Sequence, residues 1–213
     1  MKSKELWLEF LKEFGQVLDK RSSEIIGKAW THPESNRTAF YANDVLPDMA
    51  NALGLVCKRE EFLNIDHVFR DSDRVPRVFI ESENRADTAE AEIRKLCAAS
   101  CPLRVLITVA RWDLSEGVWL SPDGSQRNAL LSRWEEIVLA HHRVWPNPGL
   151  LALLVGERHC NPNHQEFQHS RFRYYAHHFD TAIGKWHSDG IYQRYLAGPN
   201  QNQKGQRLDD WPC

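Results

Sequence analysis

Asn64-Ile65-Asp66-His67-Val68-Phe69 and, across a polar turn, Val78-Phe79-Ile80-Glu81-Ser82-Glu83-Asn84 are the two stretches on which the reading of this chain depends. Both are rich in β-branched and aromatic residues, and Asp71-Ser72-Asp73 between them is turn-forming. Together they predict an antiparallel hairpin. Side chains on a strand alternate in direction, so Glu81 and Glu83 share one face while Ile80 and Ser82 take the other. A symmetric hairpin centred on Asp73-Arg74 sets Asp66 opposite Glu81, because the two are equidistant from that centre. Directly paired residues share a face with Cβ atoms about 5 Å apart. Asp66, Glu81 and Glu83 are therefore expected to converge, in a register that a one-residue slip would destroy.

Three converging carboxylates repel one another, which disfavours their ionised forms and raises a pKa. A divalent cation removes the conflict. Mg²⁺ takes oxygen ligands, usually one or two carboxylates with water and phosphate oxygens. Such an ion polarises a phosphodiester and activates water for in-line attack. Asp66 and Glu81 are the expected ligands of Mg²⁺ or Mn²⁺, and Glu83 a third ligand or a water-positioning acid. The alternative is a hairpin whose acids are simply solvated.

Outward from the hairpin, helical spacing is expected over 4–18, with Leu6, Trp7, Phe10, Leu11, Phe14, Val17 and Leu18 apolar, and over 44–53, ending at Gly54. Strands are expected over 55–57, 62–69 and 75–83. Asp87 is placed to cap a helix over 88–99, which Pro102 ends. The apolar run 103–109 suits a strand covered on both faces, as does 150–155. Ser125 is placed to cap a helix reaching about His142, and shorter strands are expected around 172–179. Adjacent strands followed by strand-helix-strand units predict an α/β fold, a mixed central sheet flanked by helices. The division expected is one domain over 1–213, with 34–110 its recognisable core and 156–213 a polar C-terminal extension rich in His, Arg and aromatics.

Composition bounds the function. The chain has 213 residues, 42% hydrophobic and 26% charged, which excludes a disordered or fibrous protein. Net charge is −2, so nucleic-acid contact needs a local basic patch. No apolar run approaches the roughly 20 residues of a membrane helix, and the N-terminus reads as no secretory signal. Five cysteines without framework spacing read as reduced thiols in a cytoplasm. No Walker loop and no G-x-G-x-x-G is present.

The order strand-Asp66, hairpin, strand-Glu81-x-Glu83, helix, strand resembles the PD-(D/E)XK nuclease superfamily, the restriction endonuclease-like fold, over about residues 34–110. Asp66 matches the first acid of that family and Glu81 the acid of its (D/E)-x-K element. Glu83 stands where lysine is usual, a departure found in some restriction enzymes of the superfamily. Glu81-Ser82-Glu83-Asn84 also resembles the Glu-x-Glu-Asn element of some bacterial and phage members. The resemblance implies an Mg²⁺-dependent nuclease acting on DNA, with a restriction or defence role. It also implies an acid from a preceding helix, for which Glu34 is the first candidate and Asp44 and Asp48 the alternatives. In some relatives the lysine comes from the next helix, which makes Lys95 its candidate. At about 100° per residue, Lys95 lies roughly 120° from the Ile93/Leu96 face, a flank or solvent position. Asn84 either orients a ligand or caps the strand end. His67 points away from Asp66 and is expected to pack. The rival to catalysis is a nuclease fold retained as an inactive binding module.

Eight of the ten histidines lie at or after His141, densest in residues 159–169. Zinc is a weaker rival, since the spacing matches no common finger. Arg171, Arg173 and Lys185, with Arg194, Lys204 and Arg207, sit among aromatics and are the candidate nucleic-acid contacts. Trp30 and Trp145 are candidate surface anchors. The N-terminal apolar stripe is expected to pack within the domain, with a homodimer interface as its alternative.

Overall fold

A computed structural model describes residues 2–21, 38–113, 118–120, 129–158 and 171–195. Glu34, Trp30, Ser125, the histidine-rich 159–169, Lys204 and Arg207 lie outside the described residues, as do the side chains of Asp87, Arg171 and Arg194.

The first helix, α1 (Ser3–Lys20), buries Leu6, Trp7, Phe10, Leu11, Phe14, Val17 and Leu18, the apolar stripe seen in the sequence. These side chains pack on one face of the sheet, so the stripe is spent on the core rather than on a second copy. A π-helical turn (Tyr41–Val45) leads into α2 (Leu46–Ala52), which ends at Gly54 with φ +68°. Asp44 and Asp48 are engaged by the Arg21 guanidinium, at 3.3 and 2.8 Å.

Then come β1 (Val56–Glu61), β2 (Ile65–Arg70) and β3 (Pro76–Glu83), each antiparallel to the one before. The first of these runs further than expected, and 62–64 is a turn rather than the start of β2, because its backbone is left-handed throughout. In the β2–β3 turn, Asp71 Oδ1 accepts the amides of Asp73 and Val75, at 3.1 and 2.9 Å. His67 pairs with Ile80, Val68 with Phe79 and Phe69 with Val78; one step further, Asp66 lies across from Glu81. That is the expected register. A bulge at Arg70 absorbs the asymmetry near the turn.

A 3₁₀ turn (Ala86–Thr88) precedes α3 (Glu90–Ala98), whose N-cap is Ala89 with no side-chain cap; Asp87, the expected cap, lies two residues too early, inside the 3₁₀ turn. Next are β4 (Leu103–Asp113), β5 (Val118–Leu120), α4 (Ala129–Val144) and β6 (Leu150–Arg158). Both crossovers are parallel, β3 to β4 and β4 to β6. The expected extension supplies β7 (Arg171–Asp180) and β8 (Lys185–Tyr195), which join the same sheet as an antiparallel hairpin. The last strand was not foreseen, since His187, Ser188, Asp189 and Gly190 interrupt any apolar alternation.

Among the described residues the sheet order is β1-β2-β3-β4-β6-β7-β8, with β5 paired to the far end of β4. One core holds α1 and α2 against Phe69, Ile80, Val105, Ile107, Leu154 and Tyr174. The other holds α3 and α4, with Trp134, against Val68, Phe79, Leu106, Leu153 and Phe179. Every residue from Leu103 to Ala110 is buried, as a strand covered on both faces requires. The architecture is mixed α/β, with helices on both faces of the sheet. No described helix is long and apolar enough to cross a membrane. The described cysteines, Cys57, Cys97 and Cys101, are free thiols.

Candidate active site

Asp66 on β2 and Glu81 on β3 project to the α3 side of the sheet, since they share faces with Val68 and Phe79 of that core. Glu81 is only 1% exposed. Burial pushes its carboxyl up to about 7 despite Lys95, and the Asp66 charge and a hydrogen bond between the two acids push in the same direction. Asp66 Oδ2 also accepts the Ser82 amide at 2.9 Å, which fixes its side chain against β3.

Lys95 reaches this pair. Its Nζ lies 2.6 Å from Glu81 Oε1 and donates to the Asn64 carbonyl at 3.0 Å. The helical wheel places its Cα on the flank of α3, and the side chain is 31% exposed. The solvent reading fails because the methylene stem runs along the surface and carries the ammonium inward to a buried carboxylate.

Glu83 shares the face of Glu81, but its carboxylate accepts the Arg85 amide at 3.1 Å. The three-acid convergence is corrected accordingly: among the described residues, no three carboxylates bring ligand atoms within 4.8 Å of one another. Asp66 and Glu81 form the close pair. Sequence reasoning missed Glu92. It lies one turn before Lys95 on α3, and burial raises its pKa, with the charges of Glu83 and Asp66 adding to the effect. Its i, i+3 spacing to Lys95 was the available signal.

Two carboxylates match the ligand number that Mg²⁺ commonly takes from protein. The donor set fits in a further respect. Glu92 Oε2 is a buried oxygen without a hydrogen-bond partner among the described residues, while Glu81 Oε1 is met by the Lys95 ammonium, so the cluster keeps one open, desolvated acceptor for a cation.

Asn84 donates to Thr38 Oγ1 at 2.6 Å, which ties the end of β3 to the helical segment before α2. His67 is buried on the opposite face, 3.9 Å from Cys57 Sγ, and burial pulls its pKa down to about 4, so it packs as expected. Lys185 is exposed, 3.9 Å from Glu135, and Arg173 is half-buried. Both lie on the β7–β8 hairpin, separated from β3 by β4 and β6, so these cations do not gather at the acid pair. Trp145 is exposed at the end of α4, as a surface anchor would be.

A separate polar cluster surrounds Asp189. The β7–β8 register shifts between Ala176 and His177, leaving Asp189 as the extra residue of a bulge that aims its carboxylate under α1. Its side chain is 4% exposed and takes donors from Lys4 at 2.7 Å, Trp7 Nε1 at 2.8 Å and His178 Nδ1 at 2.7 Å. His178, His187 and Asp189 offer ligand atoms within 4.8 Å of one another. The Lys4 ammonium already fills the cation position, 3.0 Å from His178 Nδ1. The cluster therefore acts as a tie between α1 and the sheet edge. Burial pushes the Asp189 carboxyl up, but its donors outweigh that and hold it at about 2, against 3.8 for an ordinary aspartate. With the folded value depressed, its stabilisation is complete above about pH 4 and is lost as pH falls through about 2. Asp189→Asn is expected to cost about 1–3 kcal/mol at pH 7. Urea midpoints at pH 6 and at pH 2.5 should show that penalty shrinking in acid.

No protein-family model and no curated protein matches the chain. A solved structure described as "cryoEM structure DrdV-DNA complex" is similar at 23% identity and a TM-score of 0.34, over 62% of this chain. This chain spans 14% of that one.

Proposed function

We propose that the protein is a metal-dependent phosphodiester hydrolase of the PD-(D/E)XK type acting on DNA. The observation that carries this reading is Lys95 Nζ at 2.6 Å from the buried Glu81, whose strand neighbour is Asp66. The lysine missing from position 83 is supplied by α3, in the place where the resemblance asks for one. DNA as substrate, and a restriction or defence role, follow from that resemblance.

In this reading Asp66 and Glu81 hold the divalent ion. The ion, when bound, supplies Lewis-acid polarisation of a phosphodiester oxygen and acidifies a bound water. Lys95 Nζ, steadied by the Asn64 carbonyl, donates to the attacking oxygen and balances the charge that develops on the phosphate. Ser82 N–H and the packing of β3 keep the Asp66 carboxylate aimed. Glu92 and Glu83 add negative potential that favours a cation over an empty site.

Plasmid incubated with Mg²⁺ or Mn²⁺, beside a Glu81→Ala control, tests the proposal. Cleavage that requires the ion and disappears in the control is the expected result. No cleavage, together with no calorimetric heat for either ion, would leave the inactive binding module standing instead.

A further inference from the structure

Arg104 on β4 is 4% exposed and pairs with no carboxylate among the described residues. Its guanidinium donates to the carbonyls of Leu96, at 3.1 Å, and Gly149, at 3.2 Å, and its Nε–H is buried without an acceptor. The carbonyl dipoles at a helix end supply only about half a unit of negative charge. Burial pulls the Arg104 pKa down, and the groups opposing that pull are the thiols of Cys97 and Cys101. Burial pushes both thiols up to about 11, so neither is a thiolate at neutral pH. A desolvated cation without a counter-ion is costly, and a bound anion removes that cost.

The surroundings suit an anion. Arg104 lines a pocket of about 330 Å³, part of it open to solvent, together with Asn147, His141, His142 and Trp145. Among the described residues no Asp or Glu lines it, and Lys95 does not, so it is separate from the proposed active site. Arg104 comes two residues before Leu106, the β4 partner of Glu81, which places it toward the start of the parallel strands.

Asn147 narrows the choice of anion. Its Nδ2 donates to the Cys97 and Ala99 carbonyls, which fixes the amide and leaves Oδ1 as a buried acceptor without a donor. One pocket thus holds a charged donor and an acceptor that both lack partners. An ionised carboxylate is acceptor-only, and sulfate and a phosphodiester are likewise without a proton at neutral pH. A phosphate that keeps a P–OH offers both. We infer that this pocket binds a protonated phosphate group, with Arg104 as its counter-ion, Asn147 Oδ1 accepting the P–OH, and His141 and His142 as further donors. The inference stands apart from the hydrolase reading, because it uses none of the residues of that site.

Equilibrium dialysis against radiolabelled orthophosphate tests it, in EDTA so that no metal sits at the acid pair. One phosphate per chain is expected, with a rise in melting temperature. Sulfate should compete about tenfold less well or worse, since it sets a lone pair against Asn147 Oδ1. Adenosine 5′-monophosphate is the second competitor. Displacement by it identifies a phosphomonoester as the ligand, and failure to displace identifies free orthophosphate; either result upholds the site. Arg104→Gln should weaken binding about thirtyfold or more. That variant also removes a tie between α3 and the start of β6, so His141→Ala with His142→Ala is tested beside it. The histidine pair should bind about three- to tenfold more weakly while melting like wild type in phosphate-free buffer. Wild type that binds no phosphate at millimolar concentration, sulfate that competes equally, or undiminished binding in either variant overturns the assignment.

Discussion

Lys95→Met should lower the Mg²⁺-dependent cleavage rate by about 10²–10³-fold while changing stability by no more than about 1 kcal/mol. The two effects separate because of where the lysine sits. Its side chain is 31% exposed, so its removal leaves no cavity. Glu81, already held at about 7 by burial, takes up a proton when the ammonium goes, and the site does not keep an unpaired buried charge. Catalysis has no such escape, because a neutral thioether neither donates to an attacking oxygen nor offsets phosphate charge. Glu81→Gln should abolish cleavage to a similar or greater degree by removing a proposed ion ligand. The double variant Glu81→Gln/Lys95→Met should be hardly worse than Glu81→Gln alone, since groups that act as a unit are not additive. Single-turnover cleavage of a labelled duplex, with urea unfolding in parallel, measures both quantities. Equal cleavage by Lys95→Met and wild type would remove Lys95 from the mechanism and would return the site to a structural acid–lysine pair.

The largest effect on the fold is expected at Gly149. Its φ is +96°, and a Cβ there would lie 2.2 Å from the Cys101 carbonyl oxygen and 2.8 Å from that of Pro102. Both obstacles are backbone, so neither can rotate aside. Leu150 N–H donates to the Pro102 carbonyl at 2.9 Å, and this close approach is what starts β6 beside β4. Gly149→Ala must break that approach or distort the strand entry, and a loss of at least about 3 kcal/mol is expected. Gly54→Ala is the control. Its φ is +68°, but nothing lies within 4 Å of the added carbon, so a cost of only about 1 kcal/mol is expected. Denaturant midpoints of the two variants should differ by the energy of the clash alone. Similar midpoints would mean that the β4–β6 entry gives way easily.

Much of the framework was legible because it depends on local spacing. The α1 stripe repeats at helical intervals, and the two strands of the 66–81 hairpin are equidistant from a turn whose Asp71 closes it. The opposition of Asp66 and Glu81 follows from those facts together, and the His67–Ile80 pairing displays it. The convergence of Glu83 did not follow. A shared face does not fix a rotamer, and the Arg85 amide offered that carboxylate a nearer donor. Glu92 escaped notice because an acid in the first turn of a helix ordinarily serves the helix dipole.

The alternation of elements, the covering of the sheet on both faces, and the pairing that sets two acids side by side are written in the order of residues along the chain. Each rests on periodicity or on distance from a turn, which the chain carries locally. Packing between elements is what bends Lys95 onto Glu81, bulges Asp189 under α1, and leaves Phe62 and Leu63 exposed in a left-handed turn. Those three depend on which element packs beside which, and on side-chain reach across a gap of several ångströms, neither of which spacing along one strand or helix can specify.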